Sequence, residues 1–252
     1  MSGATEQSRI AVVTGAGNGL GEAIAKALHG GGYRVMVADI DETAAQRVTT
    51  ALDASGASAI AQRLDVREKA QFAATLDAAV QRWGTVHALV NNAAVTVARP
   101  VMEISPDEFD AVIAVNLRGT FLGCQVFGAY FRDRGHGRII NMASLAGQNG
   151  GTATGAHYAA SKGGIVTLTK VFARDLGPSG VTVNAIAPGP MDTPMVHRTL
   201  TPERLAALKA TIPVGEIGDP AFIGQLVLQL ASPAAAFANG ATWDVNGGLY
   251  LR

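Results

Sequence analysis

The sequence predicts an α/β protein whose doubly wound sheet has about seven mainly parallel strands, with helices on both faces. Seven short runs rich in branched apolar residues recur along the 252 residues, and longer amphipathic segments separate them. Apolar runs without polar alternation are typical of strands that are covered on both faces, as in a parallel sheet. Strands that alternate with helices indicate repeated right-handed crossovers, and therefore a doubly wound sheet.

The predicted elements follow one another regularly from end to end. The strands are expected at Arg9–Thr14, Tyr33–Ala38, Ala59–Leu64, Val86–Asn91, Arg138–Met142, Val181–Ile186 and Ala241–Val245. A capping residue followed by proline marks several helix starts, at Ser105-Pro106, Thr201-Pro202 and Asp219-Pro220. Since no repeat or proline-rich linker divides the chain, we expect a single domain over residues 1–252.

Composition limits the classes of partner and compartment. Lys and Arg number 20 and so do Asp and Glu, whereas nucleic acids and anionic membranes select a basic face, so we expect neither as a partner. Polar residues also interrupt the longest apolar stretch, Ala221–Ala238. Cys124 is the single cysteine, and Met1–Gln7 lacks a signal-peptide pattern. These features predict a cytoplasmic protein, and the five histidines show no metal-ligand spacing.

A glycine-rich loop follows the first predicted strand and precedes a predicted helix. Its pattern is T-G-x-x-x-G-x-G, through Thr14, Gly15, Gly19 and Gly21. Glycines allow a sharp turn and a close approach to a pyrophosphate, and a helix N-terminus offers unpaired N–H groups. The loop therefore predicts a dinucleotide site, which would include the neighbouring loop residues Asn18 and Leu20.

Asp39 ends the second predicted strand, eighteen residues after Gly21. An acid at this distance typically accepts hydrogen bonds from the adenosine ribose of NAD. The same carboxylate would repel the 2′-phosphate of NADP by roughly 4 kcal/mol at a separation of ~4 Å. No basic residue is expected to offset this charge, because Asn18 and Ile40 occupy the nearest positions. NAD(H) is therefore the predicted cofactor, although Asp39 could also be an ordinary surface-turn residue.

Asp65 and Val66 follow the third predicted strand. A carboxylate at this place could accept a hydrogen bond from the adenine amino group. The sequence Asp65-Val66-Arg67-Glu68 also reads as a capping box for the next helix. Both interpretations stay open.

A tyrosine and a lysine lie four residues apart in a predicted helix from Tyr158 to Leu176. Residues at this spacing share a helix face, so the phenol of Tyr158 and the ammonium of Lys162 should be neighbours. Ser144 lies fourteen residues earlier, directly after a predicted strand. Adjacent helix residues point apart, so His157 is expected to be peripheral.

Together these motifs make the chain similar to the short-chain dehydrogenase/reductase family, in its single-domain branch, and the resemblance covers essentially the whole sequence. It implies a Rossmann-like fold and a nicotinamide cofactor. One departure is Ala94, where the family usually has glycine, and it puts the local turn geometry in question. The motifs that occur in the family's order are the glycine loop, Asn91-Asn92-Ala93, Asn116, Ser144, Tyr158-x-x-x-Lys162 and Pro188-Gly189.

The resemblance implies a role for each matching position. Tyr158 would be the general acid/base. Lys162, together with the positive charge of oxidised nicotinamide, would lower its pKa by about three units, which corresponds to roughly 4 kcal/mol. Lys162 would also hold the nicotinamide ribose. Ser144 would hydrogen-bond the reacting oxygen, and Asn116 would hold a water that relays protons. Ser144 could instead cap a turn, and Asn116 could be a satisfied buried amide.

Further cofactor contacts are implied around two strand ends. Asn92, Ala93 and Ala94 would line the adenosine side of the cleft. The motif P-G-x-x-x-T would bind the nicotinamide carboxamide through Thr193 and the nearby backbone, with Pro188, Gly189 and Met191.

The predicted reaction interconverts a secondary alcohol or polyol and a ketone. The alternatives are a 3-oxoacyl-thioester (acyl-carrier-protein) reductase, whose carrier Arg134 and Arg174 could contact, and a dinucleotide-binding protein without turnover. A substrate lid is expected at about residues 190–215, and Gln148 and Asn149 are expected to offer polar contacts to substrate. The family resemblance also implies a homo-oligomer, commonly a tetramer.

Overall fold

A single sheet of seven parallel strands forms the centre of the computed structural model, which describes residues 9–151, 154–193, 196 and 201–251. The strand order is β3-β2-β1-β4-β5-β6-β7, which confirms the doubly wound, Rossmann-like prediction. Predicted and observed strand ends differ by two residues or fewer. The strands are β1 Ile10–Thr14, β2 Arg34–Asp39, β3 Ala59–Arg63, β4 Ala88–Asn91, β5 Gly137–Met142, β6 Val181–Pro188 and β7 Thr242–Val245.

Helices cover both faces of this sheet. On one face α1, α2 and α9 pack on the side chains of Val13 and Val37. On the other face α3, α5 and α7 pack on Val12 and Met36. Neighbouring strand residues are thus buried in opposite layers, which explains why the strand sequences are apolar without alternation. The described helices are α1 Gly19–Gly30, α2 Glu42–Leu52, α3 Lys69–Trp83, α4 Pro106–Ile113, α5 Gly119–Arg134, α6 Ala146–Asn149, α7 Ala156–Leu176, α8 Pro202–Thr211 and α9 Pro220–Ala231.

The winding direction reverses between β1 and β4, which pair directly in parallel. From β1 the chain winds towards β3 on one side, and from β4 it winds towards β7 on the other. In such sheets the crevice beyond the carboxyl ends of the strands at the reversal binds ligands. The glycine loop follows β1 at this place.

A π-helical turn, Ala114–Arg118, joins α4 to α5. The whole stretch Pro106–Arg134 is long and apolar enough to cross a membrane by length and composition alone. Its α5 part nevertheless packs Phe127 and Phe131 fully buried in the core beside the sheet. Such a stretch is typical of a core helix, and π turns often occur at functional sites.

Candidate active site

A cleft of about 1160 Å³ lies beyond the carboxyl ends of the strands. It collects every predicted cofactor-binding residue, together with Ser144. Among the predicted catalytic residues, only Asn116 does not line it. The predicted residues in its wall are Gly15, Asn18, Gly19, Leu20, Gly21, Asp39, Ile40, Asp65, Val66, Asn92, Ala93, Ala94, Ser144, Tyr158, Lys162, Pro188, Gly189, Met191 and Thr193.

The glycine loop has the geometry of an anion cradle. Gly15 and Gly19 have φ values of +62° and +54°, which side-chain-bearing residues rarely adopt. A Cβ on Gly21 would lie 2.2 Å from the Gly15 carbonyl oxygen, so α1 packs directly on the turn. Asn18 is the N-cap of α1, but its side chain makes no capping hydrogen bond. The N–H groups at the start of α1 therefore suit the phosphates of a dinucleotide.

Asp39 fastens this loop as well as lining the cleft. Its Oδ2 accepts a hydrogen bond from the Gly17 N–H at 2.8 Å, and its Oδ1 accepts one from the Asp41 N–H at 3.0 Å. A Cβ on Gly17 would lie 2.9 Å from Oδ2. Asp39 is buried, so the surface-turn interpretation is wrong. Gly17 stands outside the T-G-x-x-x-G-x-G pattern, so its contact with Asp39 was not predicted.

Arg47 of α2 also lies in the wall of the cleft. Its Nη2 donates to the Gly17 carbonyl oxygen at 2.7 Å and to Glu22 Oε2 at 2.9 Å. Arg47 is thus a basic residue in the same part of the cleft that the prediction about Asp39 did not consider, and whether it offsets the charge of Asp39 stays open. The residue was not predicted because it lies within α2, five residues after the start of that helix, and only the fold brings it next to the loop. Glu22 and the loop carbonyl already engage its guanidinium.

Asp65 is paired with Arg67, whose Nε donates to Oδ1 at 2.9 Å. This pairing holds the pKa of the Asp65 carboxyl below its ordinary value. The capping-box interpretation is wrong, since α3 begins at Lys69 with Glu68 as its N-cap. The Asp65 side chain lines the cleft, and its possible contact with adenine stays a prediction.

The segment of residues 92–100 after β4, here called the β4 strap, is tied to the glycine loop. Asn92 Nδ2 donates to the carbonyl oxygens of Thr14 at 3.0 Å and Gly15 at 2.9 Å. Thr14 Oγ1 accepts from the backbone N–H groups of Asn92 and Ala93. Among the described residues only glycines have positive φ, so Ala94 sits without backbone strain and the family's usual glycine is not needed there.

Tyr158, Ser144 and Lys162 meet at the other end of the cleft. The Lys162 side chain is buried and its Nζ donates to the Met142 carbonyl oxygen at 2.6 Å. The same nitrogen lies 5.6 Å from the centroid of the Tyr158 ring. The Ser144 hydroxyl accepts a hydrogen bond from the Ala146 N–H at 3.1 Å. The end of β5 and the start of α7 thus place the three side chains together.

Burial determines the protonation of this group. It raises the pKa of the Tyr158 phenol above its ordinary value, and a hydrogen bond with Ser144 offsets this only in part. Burial lowers the pKa of Lys162 to about 8. The lowered pKa expected for Tyr158 depends also on the positive charge of a bound oxidised nicotinamide, so it stays a prediction. At neutral pH the phenol is a proton donor.

Asn116 lies beneath the cleft, fully buried in the π turn. Its Oδ1 accepts from the Val95 N–H at 2.8 Å, and its Nδ2 donates to the Val95 carbonyl oxygen at 2.9 Å. Nδ2 also donates to Ser161 Oγ at 3.1 Å. The amide is thus engaged in holding the β4 strap against α7, as the satisfied-amide interpretation expected. Its role in a proton relay stays a prediction.

Part of the expected lid can be located. Met191, Thr193 and Val196 line the cleft, whereas residues 194–195 and 197–200 lie outside the described residues. Closure of this segment stays a prediction. Gln148 and Asn149 do not line the cleft, and the expectation that they contact substrate is wrong in this structure. Gln148 Nε2 instead donates to Asp244 Oδ1 at 2.6 Å. Across the described ranges, no group of three or more potential metal-ligand side chains comes together.

Comparison with known proteins extends these observations. A family model described as enoyl-(acyl carrier protein) reductase matches residues 15–250. The chain is 37% identical to the 3-oxoacyl-[acyl-carrier-protein] reductase FabG of Vibrio cholerae, over 97% of this chain and 98% of that protein. It is also 37% identical to the D-threitol dehydrogenase of Mycolicibacterium smegmatis, over 97% of this chain and 94% of that protein.

A solved structure agrees with the sequence relatives. A candidate gluconate dehydrogenase from Agrobacterium tumefaciens superposes with a TM-score of 0.89 and 31% identity, covering 96% of this chain and 95% of that one. The matches extend over nearly the whole chain. The protein therefore belongs to the short-chain dehydrogenase/reductase family of oxidoreductases, which act on CH–OH groups with a nicotinamide dinucleotide.

Proposed function

We propose that this enzyme uses NAD(H) to interconvert a secondary alcohol or polyol with the matching ketone, and that Tyr158 carries the proton. The observation that carries the proposal is a single cleft with Asp39 at one end and Tyr158, Ser144 and Lys162 at the other. Asp39 selects the cofactor, and Tyr158, Ser144 and Lys162 perform the proton chemistry.

The protein's own residues manage the proton, while a bound nicotinamide supplies or accepts the hydride. In reduction, the neutral phenol of Tyr158 donates its proton to the oxygen on which negative charge develops. The Ser144 hydroxyl donates a hydrogen bond to the same oxygen and positions it. In oxidation Tyr158 must first be ionised. The ammonium of Lys162, 5.6 Å from the ring centroid, and the positive charge of the oxidised ring favour that form.

The acyl-thioester alternative loses one of its supports. Arg134 ends α5 and Arg174 lies in the last turn of α7, so both lie at the amino edge of the sheet, opposite the cleft. Along α7 alone, Arg174 is about 24 Å from Tyr158, at ~1.5 Å per residue. Neither arginine lines the cleft. The FabG relatives keep this reaction in the panel of substrates to be tested.

A substrate screen with NAD(H) tests the reaction class, using polyols, simple secondary alcohols and acetoacetyl thioesters. We expect oxidation of at least one alcohol or polyol, followed as NADH absorbance. Turnover of acetoacetyl thioesters alone would favour the acyl reductase. Absence of turnover across the panel, with NADH still bound, would favour the protein without turnover.

Replacing Tyr158 with phenylalanine should lower kcat by about 10²–10⁴-fold, since it removes the proton donor and leaves the ring. The Kd for NADH, measured by fluorescence titration, should stay within about threefold of the parent value. The lost proton donor acts only in the transition state, and the contacts that bind the cofactor are retained. Tyr250→Phe is the matched control, since Tyr250 does not line the cleft. Undiminished turnover by Y158F would place the proton path elsewhere.

Replacing Asp39 with asparagine should reduce the preference for NADH over NADPH by at least about tenfold, or about 1.4 kcal/mol. The substitution removes the charge that repels a 2′-phosphate and keeps the size of the side chain. Its amide oxygen can accept from only one of the two backbone N–H groups, those of Gly17 and Asp41, that Asp39 now holds. Parallel titrations with NADH and NADPH measure the ratio.

Asp41→Asn is the control for the cofactor titration. Asp41 is an exposed helix cap whose Oδ1 accepts from the Ala44 N–H, and it does not line the cleft. If the parent protein binds both cofactors equally, the charge of Asp39 does not decide selectivity and the proposal for NAD(H) fails.

Replacing Lys162 with methionine should abolish oxidation and change how stability depends on pH. The folded protein holds this lysine with a pKa of about 8, against about 10.5 in an unfolded chain. Between these values the unfolded chain binds more protons, so the stability of the parent relative to K162M should rise with pH. Urea unfolding at pH 7 and pH 9.5 measures it. Exposed Lys170→Met, on the same helix, should show no such trend.

We also propose a homo-oligomer, a tetramer by family resemblance, in the cytoplasm. Large apolar side chains near the C-terminus are exposed, among them Phe237 at 102%, Phe222 at 59% and Trp243 at 39%. Exposed apolar side chains mark association surfaces where they form one patch.

Replacing both Phe222 and Trp243 with glutamate should therefore lower the mass of the particle measured by light scattering after gel filtration. Lys69→Glu, on the exposed surface of α3, should leave the mass unchanged. A monomeric parent protein would contradict the proposal.

A further inference from the structure

The helix that carries Tyr158 begins without an ordinary cap. Gly155 is the N-cap of α7 and has no side chain with which to accept a hydrogen bond. Capping residues usually accept from the second or third N–H of the helix, and the third belongs to Tyr158. Here the imidazole of His157 takes that place, because its Nδ1 accepts from the Tyr158 N–H at 2.9 Å. His157 stays outside the cleft, as its expected peripheral position implies, but its side chain is fully buried beside the start of α7.

The other ring nitrogen of His157 is also engaged. Nε2 lies 3.2 Å from Glu108 Oε1 on α4. Since Nδ1 accepts a hydrogen bond, the geometry assigns the ring proton to Nε2, which donates it to Glu108. Arg99 of the β4 strap holds the same carboxylate, with Nε 2.9 Å from Oε1 and 2.7 Å from Oε2. The chain of contacts therefore runs from Arg99 through Glu108 and His157 to the backbone of Tyr158.

The glycine at position 155 is explained by this imidazole. A Cβ there would lie 2.2 Å from His157 Cε1 and 2.6 Å from Nδ1, and 2.8 Å from the Val97 carbonyl oxygen. The Gly155 N–H itself donates to that carbonyl at 3.2 Å. The absent N-cap side chain and the inserted ring are thus two parts of one arrangement, which fastens the start of α7 to the β4 strap.

We propose that His157 is a positioning residue that sets Tyr158 against Ser144 and Lys162 by capping its N–H. The inference rests on the proposed role of Tyr158 in the reaction. A shift of about 1 Å in a reacting group can cost about 10²-fold in rate, so loss of this cap should act on kcat and leave cofactor binding intact. His157 itself does not line the cleft.

Three variants separate the two hydrogen bonds of the ring. In His157→Asn, Oδ1 replaces Nδ1 as acceptor for the Tyr158 N–H and the contact with Glu108 is lost. In His157→Gln, the longer side chain can reach Glu108 and the cap is lost. His157→Leu loses both. We expect kcat within about fivefold of the parent for H157N, and a fall of about tenfold to a hundredfold for H157Q and H157L.

Two measurements report these effects. The first is steady-state oxidation of the panel alcohol that the parent oxidises fastest, with the Kd for NADH expected within about threefold in every variant. The second needs no turnover: ultraviolet titration of tyrosinate, with Y158F subtracted, reports the pKa of the Tyr158 phenol. We expect it to move in H157Q and H157L, whose phenol shifts relative to Ser144, and to stay near the parent value in H157N.

His87 provides the matched control. Its Nδ1 also accepts a backbone N–H, that of Ile10, at 3.0 Å, but at the amino end of the sheet. His87→Leu should lower the melting temperature without changing kcat or the Tyr158 titration. Parent-like kcat and titration in H157L would overturn the inference, as would a loss in H157N as large as in H157L. If H157L fails to fold, H157N and H157Q decide. Failure of the proposed function is distinct, since Y158F would then retain turnover.

Discussion

The hydrogen bond from the buried ammonium of Lys162 to the Met142 carbonyl oxygen is the interaction on which the active end of the molecule depends. Burial of a cation costs several kcal/mol, and one hydrogen bond to a neutral carbonyl does not offset that cost. The same lack of water strengthens its attraction for any anion that forms beside it. Burial of Lys162 therefore lowers the stability of the fold, but it also allows the ammonium to support an ionised Tyr158. Such an opposition between stability and activity is common in active sites.

The cofactor end of the cleft differs, because the carboxylate of Asp39 has hydrogen-bond partners for its charge. Asp39 accepts two backbone hydrogen bonds and so stabilises the glycine loop even without a ligand. Its selectivity and its structural role cannot be separated by deletion, which is why a substitution that keeps its shape is informative. Arg47 is held in a similar way, because its guanidinium donates to Glu22 and to the carbonyl oxygen of Gly17, the residue whose N–H Asp39 accepts.

What the sequence could predict was local. Strand runs, the glycine spacing and the pair Tyr158 and Lys162 depend on neighbours within a few residues, and the structure brings these elements together at one cleft. The contacts of Arg47 with Gly17 and Glu22, and that of His157 with Glu108, were not predicted because these partners come from other elements. The pKa of Tyr158 is raised by burial, which is a property of the assembled fold and not of the local sequence.

The β4 strap explains how the two ends of the cleft keep their spacing. Asn92 binds the glycine loop, Val95 binds Asn116, and the Val97 carbonyl oxygen accepts from Gly155 at the start of α7. Hydrogen bonds about every second residue therefore hold a segment without helix or strand, and they make the family's glycine unnecessary at Ala94. Because the strap contacts both the cofactor loop and the catalytic helix, substitutions along it should be non-additive with substitutions at either end.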